Sequence, residues 1–124
     1  MDHEERSALE RDLEDYLVDH LEVLEPGLYL QERQVQTDVG VIDIVARHDK
    51  HFVIIELKAA EAADAAVGQI LRYMGWYGRM RTPNPVRGIL VAYKFTPGAL
   101  YAASLVPGLT LLKLQPTHFE IQSA

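Results

Sequence analysis

The sequence predicts one α/β domain with a mixed central sheet flanked by helices, and three observations predict it. Apolar residues recur at helical spacing over the first 25 residues. In the middle of the chain, two apolar runs rich in β-branched residues flank a polar turn, which is typical of a hairpin. A helical pattern then separates two strand-like runs, which is typical of a βαβ unit with parallel strands. The 124 residues suffice for one core but not for two.

Composition excludes several classes of site and partner. The chain has no cysteine, which excludes disulfides, thiolate metal sites and cysteine nucleophiles. Because no apolar run has the length of a membrane span and the N-terminus is acidic, we expect a cytoplasmic protein with no membrane partner. The net charge of −6 argues against a broadly basic surface. Any grip on nucleic-acid phosphates would therefore come from a local basic cluster or from metal ions.

The first helix is expected to extend to about Glu25, where Pro26-Gly27 ends the pattern. On a helical wheel, Glu10 lies inside the apolar arc, whereas Glu14 lies just beyond its edge. Glu10 is therefore the acid of this helix that we expect to face the sheet. The alternative is a partly exposed acid at the rim of the core.

The remaining elements follow in order. A first strand is expected at 28–36, with Leu28 and Leu30 pointing inward, and Gly40 either adopts a positive φ or leaves room near the site. Thr96 and Pro97 are expected to be the N-cap and first residue of a short helix that ends near residue 107. The other predicted elements are hairpin strands 41–47 and 52–58, a helix at 59–80, a strand at 86–93 that follows a right-handed crossover, and strands at 109–114 and 118–121.

The predicted hairpin contains three ionisable residues, Asp43, Glu56 and Lys58. Glu56 and Lys58 share a face because side chains alternate along a strand. If Asp49-Lys50 forms a two-residue turn, Asp43 lies directly opposite Glu56, whereas a slip of one residue would move it to the other face. Charged groups in apolar strands are costly unless they are paired or hold a metal. We therefore interpret these residues as an active site, with a purely structural ion network as the alternative.

An aspartate on one strand followed by Glu-x-Lys on the next resembles the PD-(D/E)xK nuclease superfamily, with Ile42 at its loosely kept proline position. The segment Ala-Val-Gly-Gln-Ile-Leu-Arg-Tyr, residues 66–73, narrows the resemblance. So do Val-Arg-Gly-Ile-Leu-Val-Ala, from Val86, and Thr-Pro-Gly-Ala, from Thr96. Together these motifs resemble the catalytic domain of the NucS/EndoMS-like, RecB-like endonucleases over residues 10–114.

The resemblance implies a restriction-endonuclease-like core, with residues 1–124 as a single nuclease domain. It implies a Mg²⁺- or Mn²⁺-dependent DNA endonuclease that acts in DNA repair. Its implied metal ligands are Asp43, Glu56 and Glu10, with the Leu57 carbonyl as a further candidate. Carried over by motif, the catalytic residues are Glu10, Asp43, Glu56, Lys58, Gln69 and Tyr73. For Gln69 and Tyr73, the alternative is ordinary helix surface and core edge.

The implied partner is DNA, as single strands, branched DNA or mismatched duplex. Longer members of the family carry an N-terminal domain that helps to bind DNA and dimerise. This sequence has no such segment, so a homodimer or a partner that replaces the segment is expected. A catalytically silent nucleic-acid-binding or assembly module with the same fold is the alternative function.

Arginines are the candidates for holding DNA phosphates, because a guanidinium donates two hydrogen bonds to one phosphate. The segment after Lys58 has acids where the family often has basic residues. Arginines could compensate if they lie on one side of the domain. The candidates are Arg47, Arg72, Arg79, Arg81 and Arg87. Ordinary solvated surface is the alternative for each of them.

Overall fold

The computed structural model of the chain describes residues 2–115 and 120–124. Its helices and strands, in chain order, are α1 (His3–Val18), a 3₁₀ helix (Leu21–Val23), β1 (Tyr29–Thr37), β2 (Gly40–His48), β3 (His51–Ala62), α2 (Asp64–Met80), β4 (Val86–Phe95), α3 (Pro97–Ser104), β5 (Leu109–Gln115) and β6 (Glu120–Ser123). No helix in this part of the chain has the length and apolar character needed to cross a membrane.

The strands form one six-stranded mixed sheet in sequential order. The pairs β1–β2, β2–β3 and β5–β6 are antiparallel, whereas β3–β4 and β4–β5 are parallel. This confirms the predicted α/β fold and the parallel pairing across the βαβ unit. The polar turn is also confirmed, because His48 pairs with His51 and Asp49 has φ +58°. The register between β2 and β3 therefore carries no slip.

Each face of the sheet is covered by a separate core. The core beneath α1, here the α1-side core, consists of Leu13, Leu17, Leu21, Leu28, Ile44, Ala46, Val53, Ile55, Leu57, Ile89, Val91, Leu112 and Leu114. The core beneath α2 and α3, here the α2-side core, consists of Val35, Ile42, Val45, Phe52, Ile54, Ala62, Ala66, Val67, Ile70, Tyr73, Tyr77, Leu90, Ala92, Ala99 and Ala103.

The first helix is shorter than predicted. It ends at Val18, because the N–H groups of Asp19 and His20 bond to carbonyls three residues earlier and tighten the chain. The 3₁₀ helix that follows keeps Leu21 buried, so the apolar periodicity continues across the break. Periodicity alone therefore could not locate the end of the helix.

The second helix begins later than predicted, at Asp64 rather than at residue 59. The alanines between belong to β3, which continues along β4 until Ala62 pairs with Phe95. The helix propensity of alanine is weak compared with pairing to a buried strand. An irregularity in register between Lys58 and Glu61 interrupts this pairing directly after the predicted site lysine.

The expectations for β1, α3 and the last strand have different outcomes. Leu30 was predicted to point inward, but it is 40% exposed, because a register irregularity between Leu30 and Glu32 disturbs this edge strand. Thr96 caps α3 as predicted and accepts a hydrogen bond from the Ala99 N–H at 3.1 Å. That helix ends at Ser104, before the predicted position. Part of the predicted strand 118–121 lies outside the described residues.

Candidate active site

The two hairpin carboxylates lie where β2 and β3 separate. The described ladder between these strands stops at the pair Ile44–Ile55, one position before Asp43 and Glu56. The Asp43 N–H donates to Glu56 Oε1 at 3.0 Å, and the Leu57 N–H donates to Asp43 Oδ2 at 3.1 Å. Each carboxylate thus accepts a backbone donor from the opposite strand, which holds the two groups side by side.

Burial and neighbouring negative charges disfavour ionisation of the Asp43 and Glu56 carboxyl groups. Burial is the main cause that raises the pKa of Asp43, and the negative charges of Glu14 and Glu10 add to it. Burial also raises the pKa of Glu56, more strongly, and the neighbouring charge of Asp43 adds to it. The Leu57 N–H and the Lys58 charge act in the opposite direction, on Asp43 and Glu56 respectively. The pair therefore retains a proton near neutral pH unless a cation balances it.

We expect the metal-free protein to lose stability as the pH rises from about 5 to about 9. The folded Glu56 keeps a proton that the unfolded chain has already lost, so unfolding releases a proton across this range. The free energy of unfolding must then fall as pH increases. Thermal unfolding at several pH values with a chelator present measures the slope. Glu56→Gln should flatten it, whereas Glu61→Gln, at an exposed position of the same strand, should leave it unchanged.

Glu10 faces the sheet, as the helical wheel predicted. Its Oε1 accepts a hydrogen bond from the Ala59 N–H at 3.1 Å, directly after Lys58. The wheel placed Glu14 just beyond the edge of the apolar arc, but Glu14 is buried, with 5% of its surface exposed. Glu14 is one helical turn beyond Glu10, and that spacing was the available signal.

Lys58, Gln69 and Arg72 line a cleft of about 420 Å³ between the end of β3 and the start of α2. Gln69 and Tyr73 lie one turn apart on α2, and the Gln69 Nε2 donates to the Tyr73 hydroxyl at 3.1 Å. Tyr73 is only 2% exposed. Burial and then the Glu56 charge raise the pKa of Tyr73, so its hydroxyl stays protonated. The structure thus places Gln69 in one cleft with Lys58, and Tyr73 close enough to Glu56 and Asp43 for their charges to act on its hydroxyl.

Gly40 makes room for the Tyr73 hydroxyl. A Cβ at this position would collide with that hydroxyl, and the residue has φ +129°, which disfavours other side chains. Both roles expected of this glycine, positive φ and free space near the site, therefore occur together.

Replacing Gly40 with alanine should destabilise the fold by about 2 kcal/mol, because it combines backbone strain with a steric collision. Gly75→Ala is the matched control, since an added Cβ there meets nothing within 4 Å and lies in the middle of α2. It should stabilise by about 0.5–1 kcal/mol. Urea unfolding of both variants measures the difference. Equal stabilities would contradict the assigned packing of Gly40 against Tyr73.

Of the predicted phosphate-binding arginines, Arg72 is the one that shares a cleft with Lys58. Arg47 is four residues along β2 from Asp43 and lies over the Phe52 ring at 4.8 Å. Arg79 is exposed in the last turn of α2. Arg47 and Arg79 therefore lie farther along β2 and α2 than Asp43 and Arg72, and of these three arginines Arg72 is the one that borders the cleft with Lys58.

The other two arginines are held by acids. Arg81 lies over the Trp76 ring at 5.1 Å and 3.6 Å from Glu32. Arg87 donates two hydrogen bonds, of 2.9 and 2.7 Å, to Glu25. The bond to Arg87 lowers the pKa of Glu25 to about 2 against the effect of burial. Arg87 is therefore engaged in a structural ion pair rather than free to compensate for the acids after Lys58.

The donor set at Asp43 and Glu56 fits a divalent cation. Mg²⁺ and Mn²⁺ prefer carboxylate oxygens, and a cation would relieve the charge crowding that raises both pKa values. Within residues 2–115 and 120–124, however, no three His, Cys, Asp or Glu side chains converge closely enough to hold a metal. Glu10, predicted as a third ligand, accepts the Ala59 N–H through one of its two carboxylate oxygens, Oε1.

Comparison with known proteins identifies the family. A family model described as the Endonuclease NucS C-terminal domain matches residues 9–122. The chain belongs to this family. Among NucS relatives, Endonuclease NucS from Pseudarthrobacter chlorophenolicus is 37% identical over 100 residues, which are 80% of this chain and 43% of that protein. Endonuclease NucS from Sulfolobus acidocaldarius is 30% identical over 92 residues, covering 73% of this chain and 36% of that protein.

Solved structures agree with the NucS assignment. The crystal structure of a repair endonuclease from Pyrococcus abyssi matches with a TM-score of 0.74 and 29% identity, covering 94% of this chain and 48% of that one. An EndoMS–dsDNA2 complex matches with a TM-score of 0.72 and 32% identity, covering 82% of this chain and 42% of that one. The restriction-endonuclease-like fold is thereby confirmed. The chain spans less than half the length of each of these four proteins.

Proposed function

We propose that this chain is the catalytic domain of a DNA endonuclease that depends on Mg²⁺ or Mn²⁺. The observation that carries the proposal is the pair of buried carboxylates, Asp43 and Glu56, held by opposite strands with Lys58 two residues on. Membership of the NucS family supports it, because the relatives are named endonucleases. The EndoMS complex with double-stranded DNA supports DNA as the substrate.

The carboxylates of Asp43 and Glu56 would hold the cation, with the Leu57 carbonyl and a water held by Glu10 as further donors. A bound divalent cation would supply charge stabilisation at a phosphate oxygen and a more acidic water. Lys58 would orient or deprotonate the attacking water, or stabilise negative charge in the transition state. Glu10 would restrain the backbone at Ala59 and so limit the movement of Lys58.

The cleft between β3 and α2 would receive the phosphate. Gln69 and Tyr73 would position the phosphate or Lys58: Gln69 lines the cleft and donates to the buried Tyr73 hydroxyl, which stays protonated. Arg72 lies in the same cleft, and its fork of N–H groups matches two phosphate oxygens. Because the whole chain carries a net charge of −6, binding should be weak and sensitive to salt unless the protein dimerises or joins a complex.

The test is a cleavage panel with Mg²⁺, Mn²⁺ or a chelator. Supercoiled plasmid and circular single strands score endonuclease activity, because they have no ends, and linear mismatched, branched and RNA substrates score preference. We expect cutting of at least one DNA substrate that the chelator abolishes. Tight DNA binding without cutting under any divalent metal would instead favour a silent binding module. Light scattering of the same samples, with and without DNA, would show whether activity accompanies a dimer.

A further inference from the structure

The alternation of side chains along β2 is interrupted at Asp43. Residues two apart on a regular strand point to the same face. Here Ile44 packs in the α1-side core, whereas Ile42 packs in the α2-side core. Asp43 lies between them, at the position where the strand turns over, that is, where its two side-chain faces exchange sides of the sheet.

The neighbouring strand turns over at the same level. The pairs Arg33–Ile44 and Val35–Ile42 place Gln34 across from Asp43. Gln34 has φ +50°, and among the described residues Asp49, in the hairpin turn, is the other non-glycine residue with positive φ. This conformation is costly for glutamine within a strand, so it persists only where surrounding contacts hold it.

Glu14 supplies those contacts. Its Oε1 accepts a hydrogen bond of 2.6 Å from the Gln34 amide. Its Oε2 accepts the Arg33 Nε at 2.8 Å, and the Arg33 Nη2 lies 2.6 Å from the same oxygen. A carboxylate buried to this degree is stable only when such donors satisfy it. Glu14 therefore bonds the segment of β1 that reverses its faces to helix α1.

We propose that Glu14 and Gln34 form a positioning pair for Asp43. The left-handed backbone at Gln34, held by Glu14, turns β1 and β2 over together, so that the Asp43 carboxylate borders the cleft that Glu10 and Glu14 also line while it accepts the Leu57 N–H. Glu14, Gln34 and Asp43 line one cleft of about 260 Å³, so a displacement of either residue of the pair directly affects the position of the Asp43 carboxylate. Neither residue of the pair would touch substrate, and the role in catalysis rests on the function proposed above.

Two variants of Gln34 separate its backbone conformation from its side chain. Gln34→Gly and Gln34→Val both remove the amide, but glycine accepts φ +50° and β-branched valine opposes it. We expect Gln34→Val to lower kcat for DNA cleavage by about a hundredfold with KM within about twofold, because Asp43 is misplaced while the DNA-binding surface is unchanged. Gln34→Gly should stay within about tenfold of the unmodified protein.

A second pair of variants tests Glu14. Glu14→Ala removes the acceptor of Gln34, whereas Asp15→Ala removes an exposed partner of the same Arg33, 2.7 Å away, without touching Gln34. Glu14→Ala should resemble Gln34→Val, and Asp15→Ala should resemble the unmodified protein. Thermal unfolding of all four variants identifies any that fail to fold. If Glu14→Ala fails to fold, the comparison of Gln34→Val with Gln34→Gly decides whether the proposal stands.

A second readout does not depend on activity or on metal. The Leu57 N–H donates to Asp43 Oδ2, so its amide resonance in a ¹H–¹⁵N NMR spectrum reports where that carboxylate lies. In Gln34→Val and Glu14→Ala this resonance should move toward its position in Asp43→Ala, while in Gln34→Gly and Asp15→Ala it should stay in place. Equal spectra for valine and glycine at position 34, or for Glu14→Ala and Asp15→Ala, would overturn the positioning role. If the unmodified chain cuts no substrate, the proposed function fails, and the Leu57 amide still decides this inference.

Discussion

Asp43→Asn is expected to abolish divalent-cation binding and DNA cleavage together, with cleavage reduced by about a thousandfold or more. Asparagine keeps the size of the side chain and an oxygen for the Leu57 N–H, but removes one of the two negative charges that would hold the cation. Burial is the main cause that raises the pKa of Glu56, and the loss of the Asp43 charge removes the repulsion that adds to it. The metal-free variant should therefore be at least as stable as the unmodified protein.

Calorimetric titration with Mg²⁺ or Mn²⁺, and plasmid cleavage at saturating DNA, measure the two losses. Asp38→Asn is the matched control, because Asp38 is exposed in the turn between β1 and β2. It should leave both quantities unchanged. Cleavage by Asp43→Asn within about tenfold of the unmodified protein would remove Asp43 from the proposed site.

Lys58→Met is expected to lower kcat by about a hundredfold to a thousandfold while cation binding persists. Methionine preserves much of the apolar stem of the lysine but supplies no charge and no donor at the attacking water. Burial raises the pKa of Glu56 and the Lys58 charge offsets part of that rise, so removing Lys58 should weaken cation binding moderately at neutral pH and not abolish it. This pattern, with chemistry lost and binding retained, distinguishes Lys58 from Asp43.

A further replacement separates the two roles considered for Lys58. A guanidinium keeps the positive charge but does not exchange a proton near neutral pH. Lys58→Arg should therefore recover part of the activity if the lysine stabilises transition-state charge, and none if it deprotonates water. Lys94→Met is the control, since Lys94 is exposed near the end of β4 and lies 3.7 Å from Glu61. A fully active Lys58→Met protein would refute the assignment.

The parts of the site that could be predicted are those controlled by short segments. A two-residue turn was enough to bring Asp43 to the level of Glu56 on the neighbouring strand, and the hydrogen bonds between those strands agree. A helical wheel was enough to direct Glu10 toward the sheet. The spacing of Gln69 and Tyr73 was enough to put them on one side of α2. In each case the sequence pattern that allowed the prediction lies within one element or one hairpin.

The parts that could not be predicted depend on distant contacts. Nothing local to Glu14 indicates that Arg33 and Gln34 will bury it, and glutamine carries no signal for a positive φ. The arginines were expected to compensate for the acids after Lys58 if they lie on one side of the domain. Arg87, however, is held by Glu25, which lies 62 residues earlier in the chain.

The sequence by itself therefore determined the α/β fold, the register of the hairpin and the types of group that meet at its end, because turn length and side-chain periodicity act over a few residues. Tertiary structure alone decided the extension of β3 to Ala62, the burial of Glu14 and the reversal of β1 and β2 beside Asp43. These features arise where segments far apart in the chain compete for the same hydrogen bonds and the same buried volume, and local preferences of about 1 kcal/mol or less per residue are too weak to settle that competition.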